Sequence, residues 1–337
     1  MPVPRVGQWA RRWRREAGPT RGRDQTLQGQ PVSDSDTANT SGACQAAFHA
    51  AFRDDLFAIV DALPGVAGGT VLDVPCGDGF YARRLAARAG ARGHVTAVDA
   101  DGTALGRARR ALRGAGNATV RAADAYRLPF PDAAFDVAWS AESLVSLDPA
   151  RAVGEMARVV RPGGVVAVLE VDEFHHVVLP WPSAVEVSLP AAVRAAAAAR
   201  YGDGEGASPA RRLRAVLRTA GLGPVHRRTY PFDRAAPFDG RTAAFVGRHF
   251  AFLRAFAYPH LPPDARAAFD RATDPDGADA LLRRPDVDLV CLSAVYLAGR
   301  GTGRASTRPA SPTAAVRDPR RADHSRTAPV NTRPEHT

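Results

Sequence analysis

Lysine is missing altogether from this chain, and its 45 basic residues are all arginine. Cysteine is scarce: Cys44, Cys76 and Cys291 lie far apart and form no C-x-x-C pair. An odd, sparse count argues against a disulfide framework and a thiolate zinc site, and leaves reduced structural thiols as the expectation. No apolar run approaches the ~18 residues that a bilayer-spanning helix needs. The basic N-terminal stretch lacks the apolar core of a secretory signal, so a cytoplasmic location is expected. What is present is ordinary for a globular protein: 337 residues, 45% hydrophobic and 24% charged, enough to bury a real core.

The formal net charge of +10 invites a nucleic-acid reading. Most of the excess sits at the two ends, however. Residues 1–42 hold seven arginines against four acids, and residues 301–337 hold seven against three. The exclusive use of arginine, beside abundant alanine and proline, reads as coding bias as much as a binding surface. A nucleic-acid partner is therefore not favoured. Both ends also lack apolar periodicity and cannot offset the entropy of ordering, so both are expected to be disordered.

The body, 43–300, alternates two patterns. Apolar runs at 70–74, 94–98, 118–122, 135–139 and 165–171 predict strands, and periodic stretches at 46–63, 81–89, 103–113 and 149–160 predict helices. The last helix is stopped by Arg161-Pro162-Gly163-Gly164. This order predicts an α/β, doubly wound, mostly parallel sheet with ligands at the carboxyl ends of its strands. Beyond residue 171 helices are expected at 181–200, 209–220, 242–258 and through most of 264–284. Strands are expected at 225–232 and 287–297, the last one antiparallel. The stretches about 181–207 and 235–285 read as helical cap insertions over the carboxyl edge.

The segment VLDVPCGDG places Asp73 near the end of the first strand and Gly77 and Gly79 in the turn after it. Glycines there let the backbone approach a ligand and adopt positive φ. Asp99 ends the second strand, about 20 residues on, where a carboxylate can accept hydrogen bonds from ribose hydroxyls. Asp124 follows the third strand, within reach of an adenine edge. A G-x-G-x-x-G dinucleotide turn would want a third glycine where Ala82 stands. Asp78 inside the loop would repel a pyrophosphate but suits a cationic sulfonium.

With VTAVDAD, ADAYRLPFPDAAFDVAWS and EMARVVRPGGVVAV, this loop makes the chain resemble a class I S-adenosylmethionine-dependent methyltransferase. The likeness is to the broad group that includes ubiquinone/menaquinone-type enzymes, and it covers about residues 69–169. It implies a Rossmann-like methyltransferase sheet with S-adenosyl-L-methionine as cofactor. It further implies cofactor-binding roles for Asp73, Gly77, Gly79, Asp99, Asp124, the adjoining Ala125, and Ser140 at the fourth strand's end. One position departs: Pro75 stands where the family turn usually begins with glycine, removing an N–H and restricting φ.

The acceptor side is less legible. Methyl transfer to an O, N or C nucleophile of a small molecule is expected, with a base needed only if the nucleophile arrives protonated. Glu142, His175 and His176 are candidate catalytic residues, and Asp172 and Glu173 lie beside the histidines. His175, His176, Asp172 and Glu173 are of metal-ligand types but lack a recognisable spacing, and no metal is expected. In FVGRHFAFLRAF, Phe245, His249, Phe252 and Phe256 form a stripe that reads equally as a cap over an apolar acceptor or as core. An RNA or protein methyltransferase and a non-catalytic cofactor-binding module stay open, with a nicotinamide oxidoreductase behind them.

Overall fold

The computed structural model describes residues 34–171, 177–201 and 209–302. Elements are numbered here in chain order. Helix α1 (Asp34–Ala51) and α2 (Arg53–Asp61) precede strand β1 (Thr70–Asp73), and α3 (Phe80–Ala89) leads to β2 (His94–Asp99). Helix α4 (Gly102–Ala111), β3 (Ala118–Ala122), β4 (Phe135–Ala141), α5 (Pro149–Val159) and β5 (Val160–Val171) complete the doubly wound part. There follow β6 (Val177–Val178), α6 (Ser183–Tyr201), α7 (Pro209–Thr219), β7 (Leu222–Ala235), α8 (Gly240–Phe256), α9 (Pro263–Thr273) and β8 (Asp288–Arg300).

Strands β3, β2, β1, β4 and β5 pair in that order, all parallel. Strand β8 runs antiparallel to β5, and β7 and the two-residue β6 pair antiparallel with β8. The chain is thus a Rossmann-like, mostly parallel sheet with an antiparallel last strand and flanking helices. Strand β7 carries Pro224 and Pro231, which lack the N–H that a further strand would need.

Parallel strands must be covered on both faces, and these are. Side chains alternate along each strand, so neighbours go to opposite layers. Val71, Val137, Trp139 and Leu169 join one core with Leu85 and Ala86 of α3. Leu72, Ala138, Val166 and Val168 join the other with Val153 and Met156 of α5 and Leu213 and Leu217 of α7. Helix α5 starts where expected, because Asp148 caps the N–H groups of Ala150 (3.0 Å) and Arg151 (3.2 Å) and Pro149 occupies the first turn. A third cluster joins α6, α8 and α9 through Val185, Val193, Leu253 and Phe269.

Several boundaries differ from the sequence-based expectation. The predicted helix 46–63 is two helices, broken at Phe52, which leaves helical dihedrals (φ −116°, ψ 23°). Its fully buried ring packs against Phe232 at 5.6 Å and Phe245 at 5.6 Å, and that packing outweighs helix continuity. Helix α1 begins at Asp34, so residues 34–42 belong to it rather than to a structureless end. Strand β5 starts at Val160, because Val160 already pairs with Phe135 before the register shifts. Helix α9 stops at Thr273, and only a short 3-10 turn, Leu281–Arg283, follows within 264–284. Strands β7 and β8 extend past their predicted ends because each satisfies the other's backbone.

The aromatic stripe of α8 resolves toward packing. Phe245 meets Phe48 of α1 at 5.4 Å as well as Phe52, so α8 supports the first helix from behind. Truncating this fully buried ring, Phe245→Ala, should lower stability by about 3–5 kcal/mol. A urea unfolding series on wild type and variant would measure the loss.

Candidate active site

A cavity of about 880 Å³ opens at the carboxyl ends of β1 to β4. Its floor is the turn after β1, with Pro75, Cys76, Gly77 and Asp78. One wall carries Asp99 and Asp124 from the ends of β2 and β3. The opposite wall carries Ala141, Glu142 and Ser143 from the end of β4. Helix α1 closes it with Gly42, Ala43, Gln45, Ala46 and His49. The cover over this cavity therefore comes from the N-terminal helix, and neither α8 nor α9 contributes to its lining.

Asp99 is half-buried and already tethered. Its Oδ2 accepts from Gly77 N at 2.9 Å and its Oδ1 from Asp101 N at 2.9 Å. Each oxygen keeps a second acceptor position, so the backbone orients the carboxylate without exhausting it. Asp124 accepts from Tyr126 N at 2.8 Å through Oδ1, and Ala125 adjoins it on the cavity wall.

The two glycines do different work. Gly77 lies at φ +54°, and a Cβ there would meet nothing within 4 Å, so its freedom is spent on the turn and on open cavity space. Gly79 lies at φ +86° with a notional Cβ 3.0 Å from Ala108 Cα. It permits α3 to start hard against α4 and does not line the cavity. Ser140 is also away from the cavity wall, fully buried, with its Oγ lacking a hydrogen-bond partner among the described residues. A one-residue alternation along β4 accounts for this, since only Ala141 and the residues after it reach the mouth.

Asp73 lies behind the wall and is buried. Its Oδ2 has no hydrogen-bond partner among the described residues. Burial, then the nearby Asp99 and Asp78 carboxylates, push its pKa well above the usual value of 3.8. The Cys76 thiol is pushed up by burial and by Asp73 and Asp99, which makes it inert, and Cys44 rises to about 12 chiefly through burial. All three cysteines are free thiols.

Glu142 is the organising group of the β4 wall. It is a non-glycine residue at φ +52°, a conformation of order 1 kcal/mol uphill that persists only where surroundings impose it. Its Oε1 accepts from Tyr81 Oη at 2.8 Å, while Oε2 lies 3.1 Å from Gln45 Nε2 and 2.9 Å from His49 Nε2. Burial alone would push the Glu142 pKa up. His49, Gln45 and Tyr81 more than offset it and hold the carboxyl below its usual range. Burial, reinforced by the same contact, drives the Tyr81 phenol well above its ordinary value.

Of the residues expected from sequence, the structure brings together Gly77, Asp99, Asp124, Ala125 and Glu142 around one cavity. Asp73, Gly79 and Ser140 support it without lining it. His175 and His176, with Asp172 and Glu173, lie outside the described residues. The sequence reading missed Gln45, His49 and Tyr81. The four-residue spacing of Gln45 and His49 on one helix face was visible, but nothing local paired that face with β4. No group of three or more metal-ligating side chains occurs among the described residues. No helix there is long and apolar enough to cross a membrane.

The acid-rich lining suits a cationic cofactor. Asp78, Asp99, Asp124 and Glu142 face the cavity against Arg107 and His49, with the orphaned Asp73 oxygen behind the turn. Residues 72–168 match the family described as a methyltransferase domain. Strand order, the acid-lined turn and this match together make residues 72–168 similar to class I, S-adenosylmethionine-dependent methyltransferase domains. Among curated proteins, the chain is 36% identical over 117 residues to the demethylmenaquinone methyltransferase of Desulfitobacterium hafniense. That match covers 33% of this chain and 44% of the relative. It is 39% identical over 127 residues to the ubiquinone/menaquinone biosynthesis C-methyltransferase UbiE of Ralstonia pickettii, covering 34% and 52%. A third relative, methyltransferase GfsG of Streptomyces halstedii, is 38% identical over 109 residues, covering 31% and 38%. The chain thus spans about half the length, or less, of the curated relatives it matches.

The raised pKa of Asp73 has a stability consequence with a definite sign. The unfolded chain releases this proton near 3.8 while the folded chain retains it, so the residue increasingly opposes folding as pH rises above that value. Asp73→Asn should therefore raise the urea midpoint of the ligand-free protein, with a larger gain at pH 7 than at pH 4. Equal gains at both values would contradict the assignment.

Proposed function

We propose that this domain transfers the methyl group of S-adenosylmethionine to a small-molecule acceptor. In this reading Asp99 holds the ribose hydroxyls, Asp124 and Ala125 meet the adenine, and the Gly77 turn lies beside the methionine end. Asp73 and Gly79 shape that turn from behind. The observation that carries the reading is one acid at the carboxyl end of each of β2, β3 and β4, all facing a cavity closed by a helix. When bound, the cofactor supplies an electrophilic methyl carbon. The chain's own contribution is to bind, to orient the partners in line and to exclude water under α1, which can supply much of the rate.

A cavity of about 880 Å³ suits a small acceptor better than a polymer. Ala43, Ala46, Phe80 and Leu147 give part of its wall an apolar and aromatic character. The printed names of two relatives point the same way, one to methylation of demethylmenaquinone and the other to C-methylation in ubiquinone/menaquinone biosynthesis. We take a hydroxylated aromatic ring methylated at carbon as the acceptor class.

The cofactor assignment is tested by calorimetry. Asp99→Ala removes two charge-assisted hydrogen bonds, each worth about 1.5–3 kcal/mol, so S-adenosylmethionine affinity should fall by at least ~10-fold. Unchanged affinity would sink the proposed ribose contact.

A further inference from the structure

We infer that His49 accepts the proton of the methyl acceptor's hydroxyl, with Glu142 as the residue that positions it. This deepens the methyl-transfer reading above and rests on it. Four observations lead there. His49 lines the cavity from α1, and its Nε2 lies 2.9 Å from Glu142 Oε2. A carboxylate only accepts, so the proton of that contact sits on Nε2, and a neutral ring then carries its lone pair on Nδ1. Among the described residues no hydrogen bond reaches Nδ1. The ring is also clamped: it stacks on Phe80 at 4.0 Å and 13°, and stands at 78° to Tyr81 at 5.4 Å.

Glu142 is itself oriented by Tyr81 and Gln45, so the imidazole is held by a carboxylate that cannot swing away. An imidazole whose tautomer is set by a buried carboxylate is the arrangement that general-base catalysis uses on unrelated folds. The titratable groups facing His49 are Glu142, after β4, and Tyr81, on α3. Asp78, Asp99, Asp124, Cys76 and Arg107 lie further along the same lining.

The step balances as follows. The acceptor O–H bond breaks, its proton passes to Nδ1, and its electron pair stays on oxygen. That charge, delocalised into the ring, forms the new carbon–carbon bond to the methyl group. The methyl–sulfur bond breaks with its pair on sulfur. The methylated ring carbon then loses its hydrogen as a proton to water, and the imidazolium returns its proton to the oxygen. One proton is released overall and the base is regenerated.

Two measurements decide it. Long-range proton–nitrogen NMR on the protein without ligand, with His49 assigned by its disappearance in His49→Gln, should show the neutral ring protonated at Nε2. Glu142→Gln should weaken that preference. A ring protonated at Nδ1 in the wild type would overturn the assignment. The second is release of S-adenosylhomocysteine with 1,4-naphthohydroquinone, kept reduced with dithionite. His49→Gln should lower kcat by ~100-fold or more and remove the acidic limb of its pH profile, with S-adenosylmethionine affinity by calorimetry nearly unchanged. Wild-type kcat and pH profile in that variant would refute the base while leaving the methyl-transfer reading intact. No turnover by the wild type would overturn the hydroxylated-ring acceptor, and this assignment with it.

Discussion

A carboxylate removed from water stays charged only if donors surround it, and the site is organised around Glu142 by that requirement. Its three donors come from two separate elements, Gln45 and His49 from α1 and Tyr81 from α3, while Glu142 itself follows β4. Meeting the demand of one buried charge therefore closes the first helix over the sheet. The positive φ of Glu142 belongs to the same constraint, because it turns the chain at the strand's end so that the carboxyl faces the cavity. Removing that carboxylate leaves three donors without a common acceptor and the helix without its polar tie.

Apolar packing acts on the same helix from the other side. Phe48 and Phe52 pack against Phe245 of α8 and Phe232 of β7. Arg234, also on β7, adds hydrogen bonds to Ala51 O at 3.3 Å and to Asp55 at 2.5 Å. The elements between β6 and β8 thus act on the cavity at one remove, by bracing the helix that covers it. The acids opposite have a different origin. Asp99 and Asp124 stand where parallel strands end, and local backbone N–H groups orient them before any ligand arrives.

Much of this was legible along the chain. Strands β1 to β4 are short apolar runs ended by acids or glycines, and their parallel order follows from the helices between them. Asp99 and Asp124 declared themselves by type and spacing, and Gly77 by its place in the turn. Gly79 and Ser140 show where spacing stops being informative. Gly79 matches the same motif, yet its glycine is required by Ala108 on α4. Ser140 is one residue short of the mouth, and a one-residue step along a strand exchanges cavity for core.

By itself the sequence determined the sheet, the place of the cavity at its carboxyl edge, and a charge pattern suited to a cationic cofactor. These are local matters: two-residue alternation, strand-end turns, and acids at set intervals. Only the tertiary structure decided what covers the cavity and which side chains meet there. His49 and Glu142 are 93 residues apart, and their contact depends on how α1 crosses the end of β4. That crossing is set by Phe48, Phe52, Phe232 and Phe245 packing together from three distant segments. No periodicity along the chain encodes such a meeting.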